Sequence, residues 1–244
     1  MFEFRSLGPR LIGIFMVFLS AIGFAQAEPE VVLRSDSWTI TINPNSLQVI
    51  AEPVKGESIE LSLPQQDLGP LESLEHTESE VSWELPQEGI AVSFRLDGAQ
   101  LSAHFRSQQI GSFTWPVLST DSPVQACILP LFEGSYVPAD DAKWIEFLAA
   151  SSPRNTLEGL SMPFWGLDCG DYTMTYILTN PFGNELAFED DDGRIAMQFT
   201  HKFTRLWKEK EYGLSIHLGD ASPIEPAKQY RQWLIQQDSF VSLK

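Results

Sequence analysis

Alternation of apolar and polar side chains with a period of two is the feature that most restricts how this chain can fold. In SWTITI, Trp38, Ile40 and Ile42 alternate with polar residues. The same spacing recurs in EVSWEL, GIAVSFRL, QLSAHF, YTMTYIL, IAMQFTHKF and YGLSIHL. Successive side chains of a β-strand point to opposite faces, so the pattern predicts strands with one buried and one exposed face.

Short turn-forming stretches separate these segments, among them NPN (43–45), LDGAQ (96–100), NPFGN (180–184) and EDDDGR (189–194). Gly, Asn, Asp and Pro favour tight turns, which predicts antiparallel hairpins. Roughly a dozen strands exceed a small immunoglobulin-type sandwich. We therefore predict an all-β fold, a large two-sheet antiparallel supersandwich over residues 28–221.

A short helix is predicted within the strand pattern. The stretch DDAKWIEFLAA has Asp140 or Asp141 in position to cap a helix N-terminus. Trp144, Phe147 and Leu148 then fall at helical spacing, which predicts that these three side chains form its buried face.

A second helix is predicted at the C-terminus, in residues 222–244. In SPIEPAKQYRQWLIQQ, Ser222 and Glu225 have the spacing of a capping box, and Pro223 occupies the first helical position. The predicted apolar stripe of this helix consists of Ile224, Ala227, Tyr230, Trp233 and Leu234.

The N-terminal residues 1–27 have the pattern of a secretory signal. Arg5 and Arg10 precede the apolar run 11–25, and AQA at 25–27 supplies the small residues that signal peptidase requires. We predict cleavage after Ala27 and a secreted or periplasmic protein, with an uncleaved membrane anchor as the alternative.

Charge and motif content narrow the partners and cofactors. With 33 acidic and 16 basic residues the chain has a net charge of −17 at pH 7, which disfavours nucleic acid and anionic lipid. We predict no nucleic-acid partner and, after signal cleavage, no membrane partner. Glycine-rich phosphate loops and CxxC pairs are absent, and EDDDG lacks the ligand spacing of a calcium loop, so no cofactor and no metal site is predicted.

The roles of the two cysteines and of three histidines can be predicted from their positions in the strands. Cys127 and Cys169 either form a disulfide in an oxidising compartment or are two small buried apolar residues. His201 falls on the apolar face of its strand, which predicts a hydrogen-bonded core histidine, whereas His104 and His217 fall on polar faces and are predicted to face solvent. The pattern does not assemble the histidine–carboxylate set that a sugar mutarotase needs.

The acidic loop LFEGSYVPADDAKW supplies most of the candidate functional residues. Glycosidases use two carboxylates that flank a glycosidic bond, and Glu133 with Asp140 or Asp141 is one such pair. The alternative is that an aspartate caps the helix and Glu133 is a surface acid. Sugar contact without catalysis fits best, because Tyr136 offers a ring for stacking beside hydrogen-bonding acids.

A second candidate is SMPFWGLDCGD, in which Trp165 lies close to Asp168. Aromatic residues in such a stretch either belong to the core or line a cleft. We predict no catalytic residue, and the predicted substrate-binding candidates are Glu133, Tyr136, Asp140, Asp141, Trp165 and Asp168.

Three longer stretches resemble a known family. LPLFEGSYVPADDAKW, NTLEGLSMPFWGLDCGDYTMTYILTNPFGNELAF and EYGLSIHLGDASPIEPAKQYRQWLI occur in this order. Together they resemble the N-terminal β-sandwich of glycoside hydrolases related to family 101, the endo-α-N-acetylgalactosaminidase-like enzymes, over residues 31–240. The resemblance implies a galactose-mutarotase-like supersandwich followed by a (β/α)₈ barrel that carries the catalytic carboxylates.

The resemblance therefore implies a chain that is inactive alone. Its expected role is that of a non-catalytic domain that flanks a carbohydrate cleft, with residues 222–244 as the junction to a catalytic barrel of the same polypeptide. The expected partners are a glycan and that barrel. A free-standing carbohydrate-binding module and a structural or interaction sandwich are the alternatives, because one sandwich fold hosts many functions.

Overall fold

The computed structural model of the protein describes residues 30–239, so the predicted signal segment 1–27 lies outside the described residues. The strands of the first half are β1 (Val31–Arg34), β2 (Trp38–Asn43), β3 (Gln48–Pro53), β4 (Ile59–Ser62), β5 (Glu72–His76), β6 (Glu80–Leu85), β7 (Ile90–Asp97), β8 (Gln100–Ser107) and β9 (Gly111–Ser119). The strands that follow are β10 (Ala126–Leu129), β11 (Ser135–Pro138), β12 (Arg154–Asn155), β13 (Phe164–Asp168), β14 (Tyr172–Leu178), β15 (Asn184–Asp191), β16 (Arg194–Phe203) and β17 (Lys210–Asp220). The helices are α1 (Ala142–Ala150) and α2 (Glu225–Gln236).

The strands form two layers in which every pairing is antiparallel. One layer is a nine-stranded sheet in the order β11-β10-β13-β14-β17-β8-β7-β6-β5. The other consists of two four-stranded sheets, β1-β2-β3-β4 and β12-β15-β16-β9. These two sheets meet at β4 and β9, where the backbone N–H of Leu63 donates to the carbonyl of Val117 at 2.7 Å. The predicted large antiparallel sandwich with two short helices is confirmed.

Aromatic side chains from both layers fill the core. Trp165 and Tyr176 of the nine-stranded sheet stack with ring centroids 5.1 Å apart, and Phe199 of β16 lies 5.7 Å from Trp165. Phe105 of β8 lies 5.0 Å from Trp115 of β9. Because each large aromatic side chain buries about 150–250 Å², these contacts hold the two layers together.

Strand β14 is buried on both faces, which corrects the prediction of one exposed face. The outward-facing Thr173, Thr175 and Ile177 are as inaccessible as the core-facing residues between them. The cause is α2, which packs against β13, β14 and β17 on the outside of the nine-stranded sheet. The polar half of the alternation is weak here, since YTMTYIL contains no charged residue.

Helix α2 begins later than predicted. Its N-cap is Ile224, which makes no side-chain capping hydrogen bond, and Ser222 lies in the preceding turn, where its carbonyl accepts from the N–H of Glu225 at 3.0 Å. The predicted capping box is therefore wrong. The predicted apolar stripe is wrong in part, because Ile224 and Ala227 are exposed while Pro226 is buried against the sheet.

Gly166 of β13 makes the close approach of α2 possible. A Cβ at Gly166 would lie 2.5 Å from Cγ of Pro226, which is shorter than a carbon–carbon contact allows. The first turn of α2 therefore rests on a bare stretch of backbone. This pairing of a glycine and a proline sixty positions apart gives no local signal in the sequence.

Helix α1 has the predicted N-cap. Oδ1 of Asp141 accepts hydrogen bonds from the backbone N–H groups of Lys143 and Trp144, both at 3.0 Å. The buried residues of the helix are Ile145 and Leu148. The predicted burial of Phe147 is wrong, because this side chain is exposed, whereas the predicted Trp144 is partly buried against the core.

Replacing Asp141 with alanine is expected to lower the free energy of unfolding by about 1 kcal/mol, because two N–H groups of the first turn lose their acceptor. Chemical denaturation monitored by circular dichroism measures the change. Asp140→Ala is the matched control, since Asp140 is an exposed neighbour, and its expected effect is within about 0.5 kcal/mol. Equal losses for the two variants would contradict the assignment of the cap.

The histidine predictions are confirmed for one residue and corrected for another. His201 is buried, and its Nδ1 lies 2.6 Å from Oδ1 of Asn184. His217 is half-buried instead of facing solvent, with Nε2 2.8 Å from Oγ of Ser215. Burial lowers the pKa of both imidazoles to about 4.

The cysteines and the acidic hairpin have simple structural roles. Cys127 and Cys169 are buried free thiols, and burial raises the pKa of each to about 12. EDDDG forms the β15–β16 turn, in which Asp192 and Gly193 both have positive φ angles (51° and 82°), as a two-residue hairpin turn requires. In residues 30–239, no helix combines the length and the apolar character needed to cross a membrane.

Candidate functional site

The structure brings Tyr136 and Asp168 together. Tyr136 lies on β11, and its hydroxyl donates to Oδ2 of Asp168, at the end of β13, over 2.9 Å. Oδ1 of Asp168 accepts from the backbone N–H of Gly170 at 2.9 Å, which fixes the carboxylate. Burial and the hydrogen bond to Asp168 raise the pKa of Tyr136, so the hydroxyl remains a proton donor at neutral pH.

Glu133 lies at the exposed tip of the β10–β11 hairpin, in the turn between these strands. Together with Tyr136 it borders a hollow of about 370 Å³. Most of the remaining lining is apolar and includes Phe132, Met162 and Ile224. Two predicted binding candidates therefore share one hollow, but its chemistry is more apolar than a sugar site built on acids alone.

Asp140 and Asp141 do not line the hollow that Glu133 and Tyr136 border. Asp140 is exposed at the end of the loop, and Asp141 uses Oδ1 to cap α1. Asp141 borders a separate hollow of about 360 Å³, beside Phe132 and Phe147. Asp141 therefore has a structural role, and contact with a substrate stays a prediction for both aspartates.

Trp165 is wrong as a substrate-binding candidate. Its side chain has 0% exposure and is stacked between Tyr176 and Phe199 in the core. Its strand β13 is covered by α2 on one face and by the second layer of the sandwich on the other. A glycan cannot reach this indole in the folded protein.

An apolar patch surrounds the Glu133–Tyr136 hollow. We use this name for Phe132, Phe147, Met162 and Ile224, all of which are large and exposed. Phe132 is 75% exposed and Ile224 is 61% exposed, and the rings of Phe132 and Phe147 lie 6.4 Å apart. Large apolar side chains clustered on a surface in this way mark an interaction site.

A second candidate surface was not predicted from the sequence. Phe182, in the β14–β15 turn, and Trp207, in the β16–β17 loop, lie with ring centroids 5.5 Å apart and planes inclined by 34°. They border a groove of about 580 Å³ whose polar residues are His104, Thr179, Asn180, Lys208, Glu209 and Glu211. We call this the Trp207 groove.

Glu211, which borders the Trp207 groove, contacts a guanidinium and an imidazole. The carboxylate of Glu211 lies 3.3 Å from Nη2 of Arg106 and 3.5 Å from Nε2 of His104. Burial lowers the pKa of His104, with Glu211 opposing the shift and Arg106 adding to it. His104 is therefore predominantly neutral at pH 7 and offers both a donor and an acceptor nitrogen.

The sequence contained a signal for the Trp207 groove that alternation does not capture. Phe182 lies inside a turn motif and Trp207 lies in the charge-rich stretch RLWKEK, positions where a core aromatic is not expected. What the sequence lacks is their proximity, since the two loops meet only because β14 and β17 are adjacent in the sheet.

Metal-binding side chains do not cluster in the part of the chain that the structure describes. Within residues 30–239, no group of three or more His, Cys, Asp or Glu residues is arranged to hold a metal ion. The chemical groups at the two candidate surfaces are aromatic and aliphatic side chains, hydroxyls, amides, carboxylates, the ammonium of Lys208 and one neutral imidazole.

Comparison with known families and curated proteins gives no match for this chain. Solved structures do match. The structure of α-N-acetylgalactosaminidase NagBb from Bifidobacterium bifidum in complex with GalNAc superposes with a TM-score of 0.65 and 11% sequence identity, covering 85% of this chain and 39% of that chain. The complex of the same enzyme with Gal-NHAc-DNJ gives a TM-score of 0.66 at 11% identity, covering 87% and 40%.

A galactose mutarotase-like protein from Lactobacillus casei matches at a TM-score of 0.46 and 10% identity, covering 78% of this chain and 100% of that chain. The match to NagBb is the stronger one, and at 11% identity it establishes a common fold. This chain spans about two fifths of the NagBb chain, at 39%. The chain therefore shares the β-sandwich fold of a part of NagBb.

Proposed function

We propose that this chain is the accessory β-sandwich of a secreted carbohydrate-active enzyme and that it packs against a catalytic barrel of the same polypeptide. The proposal is supported by the fold shared with part of a larger enzyme whose name is α-N-acetylgalactosaminidase. In this role the sandwich supplies no catalytic residue. The predicted export signal in residues 1–27 would place the enzyme where extracellular glycans are available.

The apolar patch is the observation that carries the proposal. Phe132, Met162 and Ile224 expose apolar surface that water solvates poorly, and a neighbouring domain would remove it from solvent. Interfaces between domains of one chain are of this kind, apolar at the centre and polar at the rim. Ile224 also directly precedes α2, so the patch lies beside the C-terminal helix that we predict to be the junction.

The predicted binding residues lie at the edge of this patch. Tyr136 and Asp168 form a fixed hydrogen-bonded pair, and Glu133 lies exposed on the adjacent hairpin. With a barrel packed on the patch, these three side chains would form the rim of the interface. We propose that they flank the carbohydrate cleft and contact parts of the substrate distant from the reacting bond.

The test compares the native protein with the isolated chain. An antibody against residues 30–239 is expected to detect, in extracts of the source organism, a polypeptide longer than 244 residues. Immunoprecipitates are expected to hydrolyse an aryl α-N-acetylgalactosaminide. The purified 244-residue chain is expected to show no hydrolysis. In the longer polypeptide, Ile224→Asp is expected to lower the thermal midpoint, because it places a charge in the proposed interface.

Two outcomes would contradict the proposal. Hydrolysis by the purified chain, lost in Glu133→Gln or Asp168→Asn, would show an active site within the sandwich. A native protein of this length without associated hydrolase activity would favour the free-standing module. Trp207→Ala is the matched control for Ile224→Asp, since it lies outside the apolar patch, and it is expected to leave the thermal midpoint unchanged.

A further inference from the structure

We propose that the Trp207 groove binds a neutral oligosaccharide. This site is distinct from the apolar patch and from the candidates Glu133, Tyr136 and Asp168. The proposal does not depend on a catalytic partner, so it can fail or succeed independently of the proposed function.

Two exposed aromatic rings provide the first part of the argument. Trp207 is 50% exposed and lies in contact range of Phe182, at 5.5 Å between ring centroids. The two rings leave large apolar faces in contact with water, which is unfavourable unless a ligand covers them. One face of a sugar ring presents C–H groups and is apolar, so it can pack flat on an aromatic side chain.

The remaining walls of the groove are polar and suit the hydroxyls of the same ligand. The polar residues that border the groove beside the rings include His104, Asn180, Lys208, Glu209 and Glu211. These groups include both donors and acceptors. A site that combines aromatic faces with a few convergent polar groups suits a ligand that is itself amphipathic, as a sugar is.

The turn that carries Phe182 is held rigidly. Oδ1 of Asn180 accepts from the backbone N–H of Phe182 at 3.1 Å, and the carbonyl of Asn180 accepts from Nδ2 of Asn184 at 2.6 Å. Asn184 is in turn hydrogen-bonded to the buried His201. A ring positioned in advance loses little conformational entropy on binding, which favours affinity for a weakly interacting ligand such as a sugar.

The groove continues across the open face of the nine-stranded sheet. His104 borders the Trp207 groove and also two adjoining hollows over β5–β8, of about 390 and 580 Å³. Their lining consists largely of serine, glutamate and arginine side chains. The ligand is therefore expected to be an oligosaccharide. One of its sugar units would pack on the aromatic pair, and the following sugar units would lie across β8, β7 and β6.

Charge favours a neutral glycan over an anionic one. The chain has a net charge of −17, and Arg106, close to the groove, is paired with Glu211. Lys208 shares the lining of the groove with the carboxylates of Glu209 and Glu211. Sialylated or sulfated chains would meet long-range repulsion. Neutral glycans would not, and their binding would be insensitive to salt.

The experiment is binding of the purified chain to a glycan array that carries neutral tetrasaccharides ending in galactose, N-acetylgalactosamine, glucose or mannose, beside sialylated and sulfated analogues. We expect binding to at least one neutral series, unchanged between about 0.05 and 0.5 M NaCl. Calorimetry with the best neutral glycan is expected to show about a tenfold or greater loss of affinity for Trp207→Ala and for Phe182→Ala.

Leu206→Ala is the matched control, because Leu206 is 87% exposed on the same loop but does not border the groove. It is expected to retain affinity. Ile224→Asp, on the apolar patch, is expected to bind glycan normally. Absence of neutral-glycan binding, selective binding of anionic glycans or of a lysine-rich control peptide, or an equal loss for Leu206→Ala and Trp207→Ala would each overturn the proposal.

Discussion

Replacing Trp165 with alanine is expected to lower the free energy of unfolding by about 3–5 kcal/mol. The indole is fully buried, stacked on Tyr176 at 5.1 Å and packed against Phe199 from the opposite layer at 5.7 Å. Its removal leaves a cavity between the two sheets, where neither layer can collapse freely. Because a domain of this kind is stable by only about 5–15 kcal/mol, the loss is a large part of the total. Urea unfolding followed by circular dichroism measures it.

Trp165→Phe separates packing from hydrogen bonding. The indole Nε1 of Trp165 has no hydrogen-bond partner among the described residues. Phenylalanine keeps the stacking and removes a buried unpaired N–H, so its cost is expected to be well below that of alanine. Trp207→Ala, at an exposed tryptophan, is expected to change stability by less than about 0.5 kcal/mol. If Trp165→Ala were as mild as Trp207→Ala, the burial of Trp165 would be refuted.

Trp165 also shows what strand patterning can and cannot predict. Alternation identified β2, β6, β7, β8 and β16 with the correct buried faces, since each has one face against the opposite layer and one toward solvent or a loop. It failed for β14, because burial of its outer face depends on α2, an element that lies about fifty positions later in the chain. A helix that covers the second face cannot be inferred from the strand itself.

In the candidate site, too, features with a local sequence signal were predicted, and features that depend on strand pairing were not. The hydrogen bond between Tyr136 and Asp168 joins two residues that the sequence marked separately, and its existence depends on the β10–β13 pairing. The cap was predicted as Asp140 or Asp141 because the capping signal is local, and the structure shows that it is Asp141. The Trp207 groove was missed because it is assembled from the β14–β15 and β16–β17 loops, whose residues carry no shared motif.

The two candidate surfaces differ in chemistry, and each suits a different kind of partner. The apolar patch exposes aliphatic and aromatic side chains with few polar groups, as a domain interface does. The Trp207 groove combines two rings with donors and acceptors, as a ligand site does. A sandwich with both surfaces could hold a glycan on one while the other packs against a catalytic domain, which would keep the substrate near the enzyme.

Acidification is expected to destabilise the fold through His201 and His217. Burial lowers the folded-state pKa of each to about 4, against 6.5 for an ordinary histidine. Between these values the unfolded chain binds more protons than the folded one, so the free energy of unfolding rises with pH. The stabilising contribution is complete above pH 6.5 and is lost as the pH falls toward 4. We expect a loss of about 2 kcal/mol per histidine, less than the full shift implies because water partly screens each site.

The readout is the slope of stability against pH, measured by urea unfolding between pH 7.5 and 4.5. Nδ1 of His201 donates to Oδ1 of Asn184, because Nδ2 of Asn184 is held by the carbonyl of Asn180, so an added proton binds at Nε2. His201→Gln removes this titrating group and is expected to flatten the slope, even if it lowers stability at all pH values. His76→Gln, on the exposed β5, is expected to leave the slope unchanged. Protonation of the many carboxylates affects the wild type and both variants alike, so the difference isolates His201. A slope unaltered by His201→Gln would show that this imidazole is not protonated on unfolding.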